Sequence, residues 1–255
     1  MKTRLLGGML HIPMRLAWLL FTIVAWSITT SSMAQESGET DNSSPQAIKY
    51  GVRAGLTSSG FYHQDLTQHK HTGSITGVTV GGFVTYSPIS LLDVSLEVLY
   101  MQQGGARTQL RNSAVDESPI ATTANTYLHN LEVPLLLKFN IPGISTTIKP
   151  QLIVGPALGY NITSIESQDI SFQYGDQFAT GSGKEDVRSD FRSLQYGAYA
   201  GAGIEIPMGA NELSVDFRYR YGVNAINNGM DITNLIGDVT DVRTNSYMIT
   251  LGMSF

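Results

Sequence analysis

Apolar and polar residues alternate along eight segments of the chain, and this pattern restricts the fold more than any other feature. The segments lie near residues 47–58, 74–87, 91–104, 125–140, 146–163, 190–206, 211–225 and 245–255. A period of two places apolar side chains on one face of a strand and polar side chains on the other. Each segment is long enough to cross a bilayer as a tilted strand, which takes about 9–11 residues.

The connections between these segments alternate in length. Three short turns lie near 87–90, 141–144 and 207–210, and four long polar connections lie near 59–73, 105–124, 164–189 and 226–243. Short periplasmic turns and long external loops are typical of outer-membrane barrels, and an even strand count places both termini in the periplasm. The pattern predicts an all-β fold, an eight-stranded antiparallel transmembrane β-barrel with both termini periplasmic.

Charged residues occupy the face opposite to Val, Leu and Ile. A soluble barrel would have the reverse polarity, so we expect these charges to line the lumen, which in eight strands has room only for side chains. The predicted network consists of Lys49, Arg53, Asp93, Glu97, Glu132, Lys138, Lys149, Glu205, Asp216, Arg218 and Arg220. Buried charges are costly unless paired, which favours a closed polar plug; a proton or ion path is the alternative.

Aromatic residues fall at two levels of the predicted strands, as expected for the interfaces of a bilayer. The predicted periplasmic belt contains Tyr50, Tyr86, Phe139 and Phe255. The predicted external belt contains Tyr100, Tyr127, Tyr160, Tyr196, Tyr221 and Tyr247. The two belts agree with the short-turn and long-loop assignment.

The last strand alternates up to its final residue. Its apolar face carries Tyr247, Ile249, Leu251, Met253 and Phe255. We predict that this strand closes the ring and presents a C-terminal insertion signal to the barrel-insertion machinery, because outer-membrane barrels end in the same way. Within the earlier strands, Pro134 and Pro156 cannot donate to a ladder, and each predicts a bulge or a shift of register.

The N-terminus has the features of a secretory signal peptide. A basic leader precedes an apolar core at 16–28, which is too short to span a membrane, and the small residues Ser32 and Ala34 precede a predicted cleavage site. We therefore predict a signal peptide over residues 1–34, a flexible periplasmic spacer over 35–46 and a barrel domain over 47–255. The predicted location is the cell outer membrane of a Gram-negative bacterium.

Charge and composition exclude some classes of function. Cleavage would remove three of the 16 basic residues, leaving 13 against 21 acidic residues and a formal net charge of −8. Such a chain has no basic stripe for nucleic acid. It also has no cysteine, so neither disulfides nor thiol chemistry is available. No cofactor is expected.

Three loop features allow weaker hypotheses. The residues His63, Asp65, His69 and His71 could hold a metal, but a solvated polar loop is favoured because no further ligand set completes the site. Residues 181–184 resemble a phosphate loop, yet the flanking positions break that pattern. The acidic connection 164–189 could bind divalent cations, and a flexible loop is favoured.

Three segments resemble the PorT-like outer-membrane barrel family of Bacteroidetes. Residues 130–139 (NLEVPLLLKF) are similar to its PLLLK-aromatic strand, and 149–160 and 199–205 are similar to its next and sixth strands. The resemblance extends over 47–255 and implies fold and location. The namesake's role in secretion and gliding machinery is implied only for the family.

These observations predict a small closed barrel with a structural, adhesive or assembly/secretion-associated role that acts through its external loops, and not an enzyme. The alternatives are a porin or transporter of small solutes and an outer-membrane lipid-modifying enzyme or protease, for which His63, Asp65 and Ser74 are the weak candidates. Expected partners are outer-membrane lipid, lipopolysaccharide and the insertion machinery. Other protein partners are not identified by the sequence.

Overall fold

A computed structural model describes residues 47–63, 71–112, 119–142, 148–174, 177–227 and 242–255. The predicted signal peptide and spacer lie outside the described residues. Among the described residues, no helix has the length and hydrophobicity needed to cross a membrane.

The described residues form ten strands and one short 3-10 helix. The strands are β1 (Ala47–His63), β2 (His71–Gly73), β3 (Ile75–Ile89), β4 (Leu92–Asn112), β5 (Pro119–Asn140), β6 (Lys149–Tyr174), β7 (Gln177–Asp186), β8 (Leu194–Met208), β9 (Asn211–Gly222) and β10 (Val242–Ser254). The 3-10 helix, Arg188–Asp190, lies between β7 and β8.

Eight of these strands form a closed antiparallel barrel. The ring runs β1–β3–β4–β5–β6–β8–β9–β10, and β10 pairs again with β1 from Gly51↔Ser254 to His63↔Val242. The prediction of an eight-stranded antiparallel barrel closed by the last strand is confirmed. We call the end near Tyr50 and Phe255 the terminal end and the opposite end the loop end.

The apolar faces of the strands point outward. On β10, Ile249 and Leu251 are 58% and 56% exposed, whereas Thr250 between them is fully buried. The same alternation runs along β3 and β8. In a soluble protein, so large an apolar surface would be exposed to water. In a bilayer, hydrocarbon chains cover it at no cost in free energy.

Several strands continue well beyond the predicted segments. β4 and β5 pair as far as Asn112↔Pro119, and β6 continues to Tyr174 and pairs with β7. With β2 they make a five-stranded sheet, β2–β4–β5–β6–β7, which we call the loop-end sheet. The expectation of a flexible loop over 164–189 is therefore wrong for the described residues, because antiparallel pairing satisfies their backbone groups.

The two prolines leave the strand register unchanged. Pro134 pairs with Ala157, and Pro156 pairs with Ala198. The irregularity between β5 and β6 lies instead at His129 and Asn130. The predicted bulges at the prolines are wrong, since each proline removes only one donor from a strand that is paired on both sides.

Close approach of β5 and β6 requires glycine at position 155. A Cβ there would contact the Leu135 carbonyl oxygen and would lie 2.9 Å from Leu136 Cα, and neither backbone atom can move aside. We expect Gly155→Val to destabilise the barrel by about 1–3 kcal/mol, because overpacking forces backbone shifts. Urea unfolding in lipid vesicles measures this change.

Gly181→Val is the matched control, because no atom lies within 4 Å of a Cβ at that position on β7. Its free energy of unfolding should equal that of the wild type. Equal stability of both variants would contradict the packing explanation.

Candidate functional site

Four charged side chains form a layer across the middle of the barrel. Arg218 donates two hydrogen bonds to Glu97, at 2.7 and 2.9 Å, and one to Asp216 at 2.7 Å. Arg53 donates to Asp216, and its Nε lies 3.6 Å from Glu97 Oε1. All four side chains are 0% exposed. Two cations therefore balance two carboxylates, and the layer connects β1, β4 and β9.

Lys138 and Phe83 extend this charge layer toward the terminal end. The Lys138 Nζ lies 3.6 Å from Glu205 Oε1 and 5.7 Å from the centroid of the Phe83 ring. The Arg53 guanidinium carbon lies 5.1 Å from the same centroid. The ring therefore faces two cations and adds a cation–π attraction inside the lumen.

A second ionic group lies closer to the loop end. Arg220 Nε donates to Glu132 at 2.5 Å, and the Tyr199 hydroxyl donates to the same carboxylate at 2.6 Å. All three side chains are buried. β5, β8 and β9 are thereby joined through the lumen.

Apolar side chains fill the space around this second group. The cluster consists of Met101, Leu136, Ile153, Ala157, Tyr199 and Met248. Sequence reasoning missed its aliphatic members because they occupy positions assigned to the polar face. The run Leu135-Leu136-Leu137 was the available signal, since three consecutive apolar residues place apolar side chains on both faces of a strand.

A buried apolar cap covers the lumen at the loop end. It consists of Leu128, Val187, Phe191, Ile226 and Val242, with Phe61 packed against it. The rings of Phe61 and Phe191 stack with centroids 6.4 Å apart. Backbone hydrogen bonds hold the two crossing segments, Arg192 N to Ile226 O and Ile226 N to Val242 O. Phe61, Val187, Ile226 and Val242 come from connections that the sequence pattern treated as loops, whereas Leu128 and Phe191 lie in predicted strand segments.

The remaining predicted lumen charges lie toward the terminal end. Lys49 and Lys149 both donate to Glu212, at 2.7 and 3.1 Å, and these groups are partly exposed. Asp93 accepts hydrogen bonds from Asn140 and Gln151 instead of pairing with a cation. Glu212, the second residue of β9, was not included in the predicted network, although it has the same alternation parity as Asp216 and Arg218.

A small cavity lies at this end of the lumen. Its volume is about 10 Å³, and it is lined by Lys49, Phe83, Asp93, Glu205 and Glu212, among others. Such a volume holds about one water molecule. Solute passage needs far more space than this cavity provides.

The predicted belt residues lie on the outward face. Exposed rings occur at the terminal end (Tyr50, Tyr86, Phe139) and toward the loop end (Tyr160, Tyr196, Tyr221, Tyr247). Tyr100 and Tyr127 are half-buried. The Tyr100 hydroxyl lies 2.5 Å from His129 Nδ1, and the Phe255 ring lies 6.4 Å from that of Tyr50. The remaining C-terminal residues, Ile249, Leu251 and Met253, share this outward face.

Glu166 anchors the base of the loop-end sheet. It accepts hydrogen bonds from Arg107 at 3.1 and 3.2 Å, from Thr126 at 3.0 Å and from Gln168 at 2.6 Å. Burial lowers the pKa of Arg107, and the neighbouring carboxylate partly restores it. A carboxylate expected in a solvated loop is instead a buried structural acceptor between β4, β5 and β6.

The weaker chemical candidates are not assembled into a site by the described residues. Asp65, His69 and the side chains of His63 and His71 lie outside the described residues, and Ser74 is exposed. No three His, Asp or Glu side chains of the described part gather to hold a metal. Residues 181–184 belong to β7, which lacks the strand-to-helix turn of a phosphate loop.

Removing one cation from the charge layer should leave two buried carboxylates with a single partner. We expect Arg218→Met to lower the free energy of unfolding by about 3–5 kcal/mol, the range for breaking a buried ion pair. Urea titration in vesicles measures the change. Lys149→Met is the control, because its exposed pair with Glu212 should contribute at most about 1 kcal/mol. A loss as small for Arg218→Met as for the control would contradict a structural role of the layer.

Several solved structures of outer-membrane proteins are similar to this chain at low sequence identity. The outer membrane protease OmpT from Escherichia coli is 10% identical, with 86% of this chain and 99% of that chain covered and a TM-score of 0.42. The attachment invasion locus protein Ail of Yersinia pestis, in complex with a heparin analogue, is 15% identical (82% and 99% covered, TM-score 0.34). Neisserial surface protein A is 14% identical (80% and 95% covered, TM-score 0.36).

Comparison with curated proteins gives no match. A family profile described as "Outer membrane protein beta-barrel domain" matches residues 33–228, which is more than half of the chain. Together with the closed ring and its apolar exterior, this match means that the chain belongs to the outer membrane protein β-barrel domain family and is located in the outer membrane.

Proposed function

We propose that the protein is a closed, non-conducting barrel that acts through the loop-end sheet in a structural, adhesive or assembly/secretion-associated role. The observation that carries this proposal is the charge layer, whose side chains are 0% exposed. A water-filled pore would hydrate charges that line it. Here carboxylates and guanidinium groups neutralise one another across the lumen.

Three successive layers along the barrel axis support closure. The charge layer is followed by the apolar cluster around Met101 and Leu136, and then by the cap around Phe191. Eight strands leave an interior that side chains fill, whereas aqueous channels occur in barrels of about 16 strands. A transport function would require all three layers to rearrange together.

The loop-end sheet supports an action outside the barrel. Its strands continue from β4, β5 and β6 without a break, and the Glu166 hydrogen bonds fix its base. A paired sheet presents its residues in a preorganised arrangement, which lowers the entropic cost of binding a partner. The sheet therefore suits recognition of a macromolecule or an assembly contact.

The resemblance to the PorT-like family supports an assembly or secretion role among these possibilities. Residues 130–139, which carry that resemblance, form the part of β5 that supplies Glu132 and Lys138 to the lumen. We further propose periplasmic termini, a cleaved signal peptide, lipopolysaccharide contacts on the outer face and recognition of the C-terminal strand by insertion machinery.

Purified protein in planar bilayers should give no stable conductance steps, because the lumen is closed at several levels. A variant with Phe191→Ala and Ile226→Ala opens only the cap. It should also give no conductance steps, since the charge layer is unchanged. Large, stable single-channel steps in the wild type would overturn the closed-barrel proposal and favour a porin.

Shortening the β6–β7 hairpin should separate the role of the loop-end sheet from that of the barrel. Ser167 pairs with Lys184, so residues 168–183 can be replaced by Asn-Gly, a two-residue hairpin turn. We expect this variant to fold as the wild type does, with the same heat-dependent mobility on electrophoresis. Partners recovered with the wild type from detergent-solubilised membranes should be lost. Recovery of the same partners by both proteins would contradict a role for the hairpin.

A further inference from the structure

An apolar groove runs along the outward face where β1 and β10 close the ring. Its volume is about 370 Å³, within the range of small-molecule sites. The lining residues include Ala54, Leu56, Phe217, Tyr247, Ile249 and Leu251. Small side chains at Ala54 and Ser58 lie between larger neighbours and leave this space open. Because the groove faces the bilayer, hydrocarbon chains are the molecules that surround it.

A cation stands at the loop-end side of the groove. Arg243 lies four residues before Tyr247 on β10, and both share the outward face, so roughly 13 Å separate them along the strand. Among the described side chains of the eight barrel strands, Arg243 is the cation on the outward face. None of the ion pairs among the described residues involves Arg243.

Tyrosines surround this guanidinium. Arg243 Nη1 donates to the Tyr221 hydroxyl at 3.1 Å, and Tyr62 is its cross-strand neighbour on β1. Tyr219 and Tyr247 lie beside them, with ring centroids 4.9 Å apart. Arg243 Nε is buried without a hydrogen-bond partner. A cation with hydroxyl donors at the interface level is the chemistry that binds a phosphate group.

We propose that the β1–β10 seam is a binding site for a membrane lipid with a phosphate headgroup. Arg243 and the neighbouring tyrosine hydroxyls bind the phosphate, and the groove below Tyr247 binds one acyl chain. The order of the two parts along β10, charge at the rim and apolar groove toward the bilayer centre, is that of the lipid itself. Neither a free phosphate nor a second copy of the chain would use both parts in this order.

Native mass spectrometry of the protein in detergent micelles tests this proposal. The probes are palmitoyl-oleoyl phosphatidylglycerol and the diacylglycerol with the same chains, which lacks the phosphate. We expect phosphatidylglycerol to bind more tightly to the wild type. Arg243→Gln should weaken that binding about tenfold and leave diacylglycerol unchanged, as expected for loss of a charged hydrogen bond. Ala54→Leu should weaken both lipids by filling the groove.

Two control variants make the same kinds of substitution at positions away from the β1–β10 seam. Arg188→Gln removes an exposed cation outside the strands, and Ala200→Leu enlarges an outward alanine on β8. Both should bind as the wild type does. If Arg243→Gln fails to fold, Arg243→Lys keeps the charge and should retain most of the binding.

Several outcomes would overturn the proposal. Equal binding of the two lipids would show that the phosphate group is not recognised. Unchanged lipid affinity in Arg243→Gln would contradict a binding site at the seam. Equal losses of lipid affinity in Ala200→Leu and Ala54→Leu would contradict it as well. Displacement of the lipid by millimolar inorganic phosphate would indicate a soluble anion site. A dimer that Ala54→Leu dissociates would show that a second copy occupies the groove.

Discussion

Backbone polar groups inside hydrocarbon have no water to bind, and this constraint governs the rest of the structure. A sheet meets it only when it has no free edge, so β10 must return to β1 along its whole length. Pairing continues from Gly51↔Ser254 to His63↔Val242 and provides that closure. Once the ring is closed, alternation assigns every second side chain to the lumen, whether it is charged or apolar.

The lumen then has to accommodate every side chain that the alternation directs inward. Arg53, Glu97, Asp216 and Arg218 are stable there because each charge faces an opposite one at hydrogen-bond distance or close to it. Apolar side chains at the same parity, such as Leu136 and Met248, occupy the neighbouring layer. Polar and apolar layers therefore follow one another along the axis, and together they fill the barrel.

The strand pattern predicted the barrel because its signal is local, with one apolar residue in two along each strand. The predicted charges on β1, β4 and β9 could be assigned to the inside for the same reason, but their partners could not, since pairing depends on strand tilt and stagger. Asp93 illustrates this limit, because it is bonded by Asn140 and Gln151. The loop-end sheet was not predicted because strands rich in Thr, Ser and Gly lack an apolar face. The cap was not predicted because its residues come into contact only after the ring of strands has closed.

The charge layer also joins parts of the chain that are far apart in the sequence. Arg53 and Asp216 are 163 residues apart in sequence, and their side chains meet only after the first and last parts of the chain have come together. An interaction formed after the rate-limiting step contributes little to the speed of assembly and much to the barrier against disassembly. Opening the ring at the β1–β10 seam would separate Arg53 from Asp216, and losing this buried ion pair opposes disassembly of the finished barrel.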